Sequence, residues 1–296
     1  MPALVYGGRG EILYSLDYEF IIGAIMMIRK YNAVLISVLL LIVAFSGCTE
    51  LNAGPEITED FSSEYVVEDT TILKVIGVNG NIEINSWDGD KVTLDAVKKT
   101  RYGEDELNKV EIVATQSGNE LIIEAKFSPL NTRVSVDMDI KVPNNVSVKY
   151  VKTVSGNVHI YNTKGDVEAL STNGEVILKD VDGYVIAQTS NGNIDVRGTT
   201  GIGDLKTSNG AIFAEVFDIE EDVDITVTNG QITVYVNPSL NANIELKTTN
   251  GKISNEVSLN MTKMEEHRIE GTLGDGGNRL FISTVSGNLD LYKLDV

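Results

Sequence analysis

A turn dipeptide recurs along the second half of the chain, at first every eighteen residues, and no other feature constrains the fold as much. The segment 207–212 is TSNGAI, and the segments TSNGNI and STNGEV precede it at successive steps of eighteen residues. Aligned on the glycine, the first four repeats are eighteen residues apart and the later intervals are 20, 21 and 36 residues. The glycines of this ladder are Gly156, Gly174, Gly192, Gly210, Gly230, Gly251 and Gly287.

Apolar residues alternate on both sides of each glycine, which predicts two short strands per repeat. One such unit cannot bury its apolar face alone, but stacked units can. We therefore predict an all-β, single-stranded parallel β-solenoid with coils of ~18 residues whose neighbouring strands lie about 4.8 Å apart. The glycine is expected to supply the left-handed backbone of a tight corner. Hydroxyl side chains stand three residues before the glycine, and asparagine side chains stand one residue before it. Each set should form a ladder along the stack.

An antiparallel meander of hairpins is the alternative all-β arrangement. Asn-Gly is the strongest short hairpin signal, so a meander would explain the turns equally well. It would not explain why each position of the repeat keeps one type of residue.

The N-terminal segment has the layout of an export signal. Arg29 and Lys30 precede an apolar run over 34–45, and Ser46 and Gly47 lead directly into Cys48, the only cysteine. The run is short for a membrane-spanning helix. The ending resembles the lipobox of bacterial and archaeal lipoproteins, which implies that Cys48 receives a lipid and becomes the new N-terminus. An uncleaved anchor helix is the alternative, and both predict that 49–296 lies outside the cytoplasm.

The pattern predicts five regions. The true start is expected at Met26 or Met27, so that 1–25 would be a mis-assigned extension. The other regions are a lipoprotein signal peptide at 26–47, a tether at 48–64, an N-terminal β-region at 65–143 that begins the stack and covers its first edge, and the regular solenoid at 144–296. An excursion at 255–279 interrupts the last interval. It is expected either to bind a ligand or to cover the end of the core.

Few residues have a pattern that indicates chemistry. The net charge of −19 argues against nucleic acid as a partner. His159 and His267 are far apart in the sequence, and no His/Cys cluster or G-x-S-x-G motif is present, so we predict no metal, no cofactor and no catalytic residue. Asn145 and Asn260 begin the triplets NVS and NMT, which are glycosylation acceptors in a host that modifies exported proteins.

Aromatic residues are sparse, with seven Phe, eleven Tyr and one Trp in the chain. Extended sugar-binding grooves usually present exposed aromatic rings, so this composition disfavours one. Trp87 is expected to pack at the N-terminal end of the core. The acidic residues show no pair that the sequence alone can identify as catalytic.

The repeats together resemble a known family. The segments INSWDGDKVTLDA and VPNNVSVKYVKTVSGNVHI, the serial TSNGNI units and the closing LFISTVSGNLDLY are similar to the putative-adhesin β-solenoid family of exported bacterial and archaeal proteins. The resemblance covers about 65–296 and implies a β-solenoid of roll type. The family is a domain of unknown function with no established catalytic residues. Its usual Asp after the glycine is Asn157, Asn193, Asn288 or Glu175 here.

The function expected from these features is that of a cell-surface, lipid-anchored, adhesin-like binding or structural module without catalysis. Its expected partners are the membrane, through the lipid, and a surface glycan or protein. Two alternatives stay open: a polysaccharide-acting enzyme on a β-helix scaffold, and an accessory sensor of a membrane signalling system.

Overall fold

The described part of the chain is built almost entirely from strands. A computed structural model describes residues 54–128 and 132–295, which form two sheets of eleven and twelve strands. The first seven strands are β1 (Ile57–Val66), β2 (Ile72–Ile76), β3 (Ile82–Trp87), β4 (Lys91–Thr100), β5 (Val110–Ser117), β6 (Glu120–Phe127) and β7 (Ser135–Pro143), with a short 3-10 helix at Glu104–Lys109.

The repeating part follows without another helix among the described residues. Its strands are β8 (Ser147–Lys152), β9 (Val158–Tyr161), β10 (Val167–Leu170), β11 (Val176–Lys179), β12 (Tyr184–Asn191), β13 (Ile194–Arg197), β14 (Gly201–Asn209), β15 (Ile212–Val216), β16 (Val223–Asn229), β17 (Ile232–Val236), β18 (Ala242–Asn250), β19 (Ile253–Asn255), β20 (Asn260–Glu265), β21 (Arg268–Leu273), β22 (Arg279–Ser286) and β23 (Leu289–Lys293).

Each repeat contributes one strand to each sheet, and equivalent strands pair in parallel. Strands before the glycines lie in sheet B, the twelve-stranded sheet, and strands after them lie in sheet A, the eleven-stranded sheet. In sheet B, Ala169 pairs with Ala187, and Ala187 pairs with Leu205. These side chains are fully buried, as are the matching residues of sheet A. The all-β class predicted from the sequence is confirmed, and the antiparallel meander is wrong for this region.

The last coil does not follow the sequence order. β22 pairs with β16 on one side and β18 on the other, and β23 likewise pairs with β17 and β19. The last coil, that of Gly287, therefore lies between the coils of Gly230 and Gly251. β20 and β21 form an antiparallel hairpin, and β21 pairs with the outer side of β18. Because the hairpin takes that side of β18, the returning chain completes the stack on the inner side.

Strands of the N-terminal region pair with the first coil of the repeating part. β2 and β3, which flank Gly80, pair in parallel with β8 and β9. β4 and β7 pair antiparallel, and β5 and β6 form a hairpin around Gly118. Trp87 does not pack in the core as predicted: it is 36% exposed, and its Nε1 donates a 3.0 Å hydrogen bond to the Lys91 carbonyl. Its ring instead fills the space beside Gly89, which lacks a side chain.

The predicted tether at 48–64 is wrong for its second half. β1 pairs antiparallel with β4 over its whole length. Phe61 and Tyr65 pack against the core, and Glu64 forms a 2.7 Å ion pair with Lys91. The acidic composition of this segment hid the fact that Phe61 and Tyr65, four residues apart, lie on one face of a strand.

Candidate functional site

The ladder glycines are required because neighbouring coils approach closely. A Cβ on Gly192 would overlap the carbonyl oxygen of Gly174, and the same relationship holds along the stack from Gly156 to Gly251. Gly174 and Gly192 have no left-handed φ, so our expectation of a left-handed corner is wrong for them. The glycine is needed because no side chain fits between the coils.

Hydroxyl side chains fasten each coil to its neighbour. The Thr207 Oγ1 donates a 3.0 Å hydrogen bond to the Gly192 carbonyl, and Thr189 donates one of 2.9 Å to the Gly174 carbonyl. Val227 holds the same position in its own coil and has no hydroxyl to donate. Every member of this row is buried: Thr153, Ser171, Thr189, Thr207, Val227, Thr284 and Thr248.

Asparagine side chains form a second set of contacts at the corner. The amide groups of Asn173, Asn191, Asn209 and Asn229 bond in series at 2.8–3.0 Å. On the other side of the glycine, Asn157 Oδ1 accepts a 2.9 Å bond from the backbone N–H of the next coil. A carboxylate oxygen could accept the same bond, so Asn after the glycine preserves this structural contact.

The remaining predicted residues do not meet in one site. Asn145 and Asn260 are both exposed, near opposite ends of the stack, and Asn145 donates a hydrogen bond to Asp69. Cys48 and the export signal lie outside the described residues. His159 and His267 lie on β9 and beside β21. Within 54–128 and 132–295, no three His, Cys, Asp or Glu residues are grouped as metal ligands, and no helix is long and apolar enough to cross a membrane.

A groove of about 780 Å³ crosses the outward face of sheet B. Its floor is a row of side chains from successive coils: Lys74 pairs in register with Tyr150, Tyr150 with Glu168, and Glu168 with Ile186. Each of these side chains is half-buried.

A β-bulge and two glycines make room for the groove. The register between β12 and β14 shifts after Val185, which places two residues of β14 opposite Ile186. Gly203 lies at this bulge, and a side chain there would press on Ile186. The ring of Tyr184 occupies the space that a side chain on Gly201 would need. Bulges frequently redirect side chains beside functional sites.

Hydrogen bonds and nearby charges fix the groove tyrosines as neutral donors. The Tyr184 hydroxyl donates a 2.6 Å hydrogen bond to Asp218, and this bond with burial raises the pKa of Tyr184 to about 12. Burial and the charge of Glu168 raise the pKa of Tyr150 above its ordinary value. Lys74 forms a 2.6 Å ion pair with Glu120. The Tyr150 phenol therefore stays protonated near neutral pH and can donate to a ligand, whereas the Tyr184 proton is already donated to Asp218.

Beside the groove, the same face continues as a shallower depression of about 440 Å³. Exposed hydroxyl groups border it near the glycine corner, including those of Thr172, Ser190 and Ser208. Groove and depression together present tyrosine, hydroxyl, lysine and carboxylate groups on rigid strands. Such a surface can bind a polar ligand without any change of its backbone.

Sequence reasoning missed the groove. A detectable signal was the second glycine in GIGD, Gly203, because a strand interior otherwise carries a side chain that would press on Ile186. It also missed that the rings of Tyr235 and Tyr292 are adjacent on sheet A. These two residues belong to coils that are not consecutive in the sequence.

Comparison with known proteins identifies a family. Residues 73–292 match Toastrack DUF4097, and the chain therefore belongs to that family. This confirms the resemblance to a domain family of unknown function. No curated protein matches the chain.

Several crystal structures are similar to this chain at low TM-scores. A putative adhesin from Bacteroides fragilis is 16% identical, with a TM-score of 0.41, over 79% of this chain and 97% of its own. A putative cell adhesion protein from Clostridium sporogenes is 13% identical, with a TM-score of 0.36, over 80% of this chain and 100% of its own.

Proposed function

We propose that this member of the Toastrack DUF4097 family is a lipid-anchored binding module outside the cytoplasm, a single-stranded β-solenoid that holds a surface ligand in the sheet B groove without catalysis. The groove is the observation that supports this proposal most directly. It is concave, mixes apolar and polar groups, and combines Tyr150 as a donor with Glu168 as an acceptor. Pockets with a few convergent polar groups are the usual places for ligands.

The rigidity of the scaffold supports a binding role. The ladder glycines, the buried hydroxyl row and the asparagine amides connect each coil to the next by contacts that repeat along the stack. A surface fixed in this way loses little conformational entropy when a ligand binds.

A binding screen of the full chain tests the proposal. Wild-type protein, purified in a detergent without a sugar headgroup, is applied to arrays of surface glycans and of extracellular proteins. The Tyr150→Ser variant should lose the signal of any groove ligand. Tyr161→Ser is the matched control, because Tyr161 is also a half-buried outward tyrosine but lies on sheet A. Equal binding by both variants to every ligand found would contradict the groove assignment.

The lipid anchor has a separate test. The Cys48→Ser variant should leave the membrane fraction or keep its signal segment, and intact-mass measurement should show the loss of the lipid. Unchanged partition and mass in the variant would contradict the anchor and favour the uncleaved helix.

A polysaccharide-acting enzyme is the second candidate, because carboxylates line the same groove. Asp166, Glu168, Glu220 and Glu221 all border it. Asp166 already accepts a 3.0 Å hydrogen bond from the Tyr184 backbone N–H. Release of reducing ends from a polysaccharide, abolished by Glu168→Gln, would replace the binding role with this one. The sensor alternative is a form of the binding role, in which the ligand signals to a membrane partner.

A further inference from the structure

The charged groups that line the sheet B groove are mostly carboxylates. Four acidic side chains border it: Asp166, Glu168, Glu220 and Glu221. None of the three glutamates forms an ion pair with another residue in the described part of the chain. Of the two lysines at the groove, Lys74 is already paired with Glu120 at 2.6 Å, and Lys149 is exposed. The groove therefore has an excess of free negative charge.

An apolar floor lies between these carboxylates. Glu168 on β10 is in register with Ile186 on β12, and Ile186 lies opposite the bulge that contains Gly203 on β14. The segment 217–222 lies beside β14, where one of its carbonyl groups accepts a 3.1 Å hydrogen bond from the Ile202 N–H. That segment carries the other two glutamates. The Ile186 side chain therefore separates one carboxylate from the other two.

The carboxylates are spread along the groove rather than convergent. β12 lies between β10 and β14, so Glu168 and the segment 217–222 are roughly 10–15 Å apart at the ordinary inter-strand spacing. A divalent cation needs several oxygen ligands close around it. The described residues contain no such group of three His, Cys, Asp or Glu side chains. The arrangement instead suits a ligand whose positive charges are themselves far apart.

The negative potential of the carboxylates extends to the phenols of the groove. Tyr150 pairs in register with Glu168, and burial followed by the charge of Glu168 raises its pKa. At Tyr184, the hydrogen bond to Asp218, then burial and nearby charges that include Glu220, raise the pKa to about 12. Two separate positions in the groove thus sense the same sign of potential, which attracts a cationic ligand.

We propose that the groove binds a linear polyamine, a chain of methylene groups with an ammonium group towards each end. One ammonium group donates to the Glu168 carboxylate, the methylene chain lies over Ile186, and the second ammonium group reaches Glu220 and Glu221. Hydrogen bonds between charged groups are stronger than neutral ones. Burial of methylene groups against an apolar side chain adds a hydrophobic contribution.

The size and the charge distribution of the groove favour such a ligand. Its volume of about 780 Å³ is in the range of small-molecule sites. Lys74 on β2 and Lys149 on β8 lie on the side of Glu168 away from Ile186, and they repel an ammonium group from that end. This inference rests on the proposed function, because it names the chemistry of the ligand in the same groove.

The test is calorimetric titration of the full chain in a nonionic detergent, with spermidine, ethane-1,2-diamine and Mg²⁺ as probes. Spermidine should bind at least tenfold more tightly than the other two, because only its charges are far enough apart to reach both sets of glutamates. Glu168→Gln removes a charge with little change of shape, and it should weaken spermidine binding by about tenfold, ~1.4 kcal/mol. The double variant Glu220→Gln/Glu221→Gln should weaken it similarly.

Glu175→Gln is the matched control, because Glu175 is also a half-buried glutamate but directly precedes β11 in sheet A. It should leave the Kd for spermidine unchanged, and melting temperatures check that each variant is folded. An equal loss of affinity in Glu168→Gln and Glu175→Gln would overturn the inference, because it would assign binding to the diffuse net charge of −19. Equal affinities for spermidine and Mg²⁺ would overturn it for the same reason.

Two further outcomes separate this inference from the proposed function. Absence of spermidine binding by the wild-type protein would overturn the polyamine inference and leave the groove proposal to its own screen. A glycan or protein ligand that is lost in Tyr150→Ser, and that saturating spermidine does not displace, would likewise overturn the polyamine inference while supporting the groove as a binding site. Displacement of such a ligand by spermidine would support both.

Discussion

The Thr284 hydroxyl donates a 2.9 Å hydrogen bond to the Gly230 carbonyl, although 54 residues separate them in the sequence. The contact exists because the last coil lies directly on the coil of Gly230. Thr248, which comes next after Gly230 in the repeat, donates instead to the Gly287 carbonyl at 3.1 Å. The C-terminal strands therefore lie within the stack, between two coils that precede them in the sequence, and each contact between coils offers a test.

Substitution of a ladder glycine should be strongly destabilising. In Gly192→Ala, the new methyl would overlap the Gly174 carbonyl oxygen, which belongs to backbone and cannot move without disturbing two coils. We expect a loss of about 3 kcal/mol in the free energy of unfolding, at the upper end for an overpacked core. Gly54→Ala is the control, since a methyl there makes only ordinary contact. Equal denaturant midpoints for the two variants would contradict the close-approach explanation.

The hydroxyl row permits a reciprocal test with nearly isosteric side chains. Thr207→Val removes the donor to the Gly192 carbonyl and should cost about 1 kcal/mol of unfolding free energy. Val227→Thr adds a donor beside the Gly210 carbonyl and should stabilise the protein by up to about 1 kcal/mol. The two shifts are measured by chemical denaturation. Shifts of the same sign would show that packing, rather than the hydrogen bond, determines how this row contributes to the free energy of unfolding.

Substitution of a core residue should destabilise the protein more than substitution of a residue on the outward face. Leu205→Ala deletes a fully buried side chain in sheet B and should cost about 2–5 kcal/mol. Ser208→Ala, on an exposed position of the same strand, should stay within about 0.5 kcal/mol. Asp195, although it faces outward, is unsuitable as a neutral control because it pairs with both Arg197 and Lys179. Comparable thermal shifts for Leu205→Ala and Ser208→Ala would reverse the assignment of the two faces.

The Tyr184–Asp218 bond predicts a dependence of stability on alkaline pH. The folded pKa of Tyr184 is about 12, above the ordinary value of 10.0, so the folded state holds the phenol proton more tightly. This contribution is complete below pH 10 and is lost as the pH rises towards about 12. Asp218→Asn should lower the pKa and flatten the stability profile between these values. Ultraviolet titration of the phenol is the direct measurement, and an unchanged pKa in the variant would contradict the assigned cause.

The sequence by itself determined the repeat and its local consequences. The periodic glycines, apolar residues and hydroxyls were sufficient to predict parallel strands, the buried rows and the asparagine ladder, because equivalent residues of a regular stack must lie above one another.

Only the tertiary structure decided the features that depend on which coils are neighbours. No local signal shows that β22 inserts between β16 and β18, because an apolar strand can pair with either neighbour, and the choice depends on where the hairpin of β20 and β21 packs. Tyr292 lies beside Tyr235 for that reason alone. The groove likewise depends on how one bulge and two glycines displace side chains across several strands, a three-dimensional effect that no single repeat encodes.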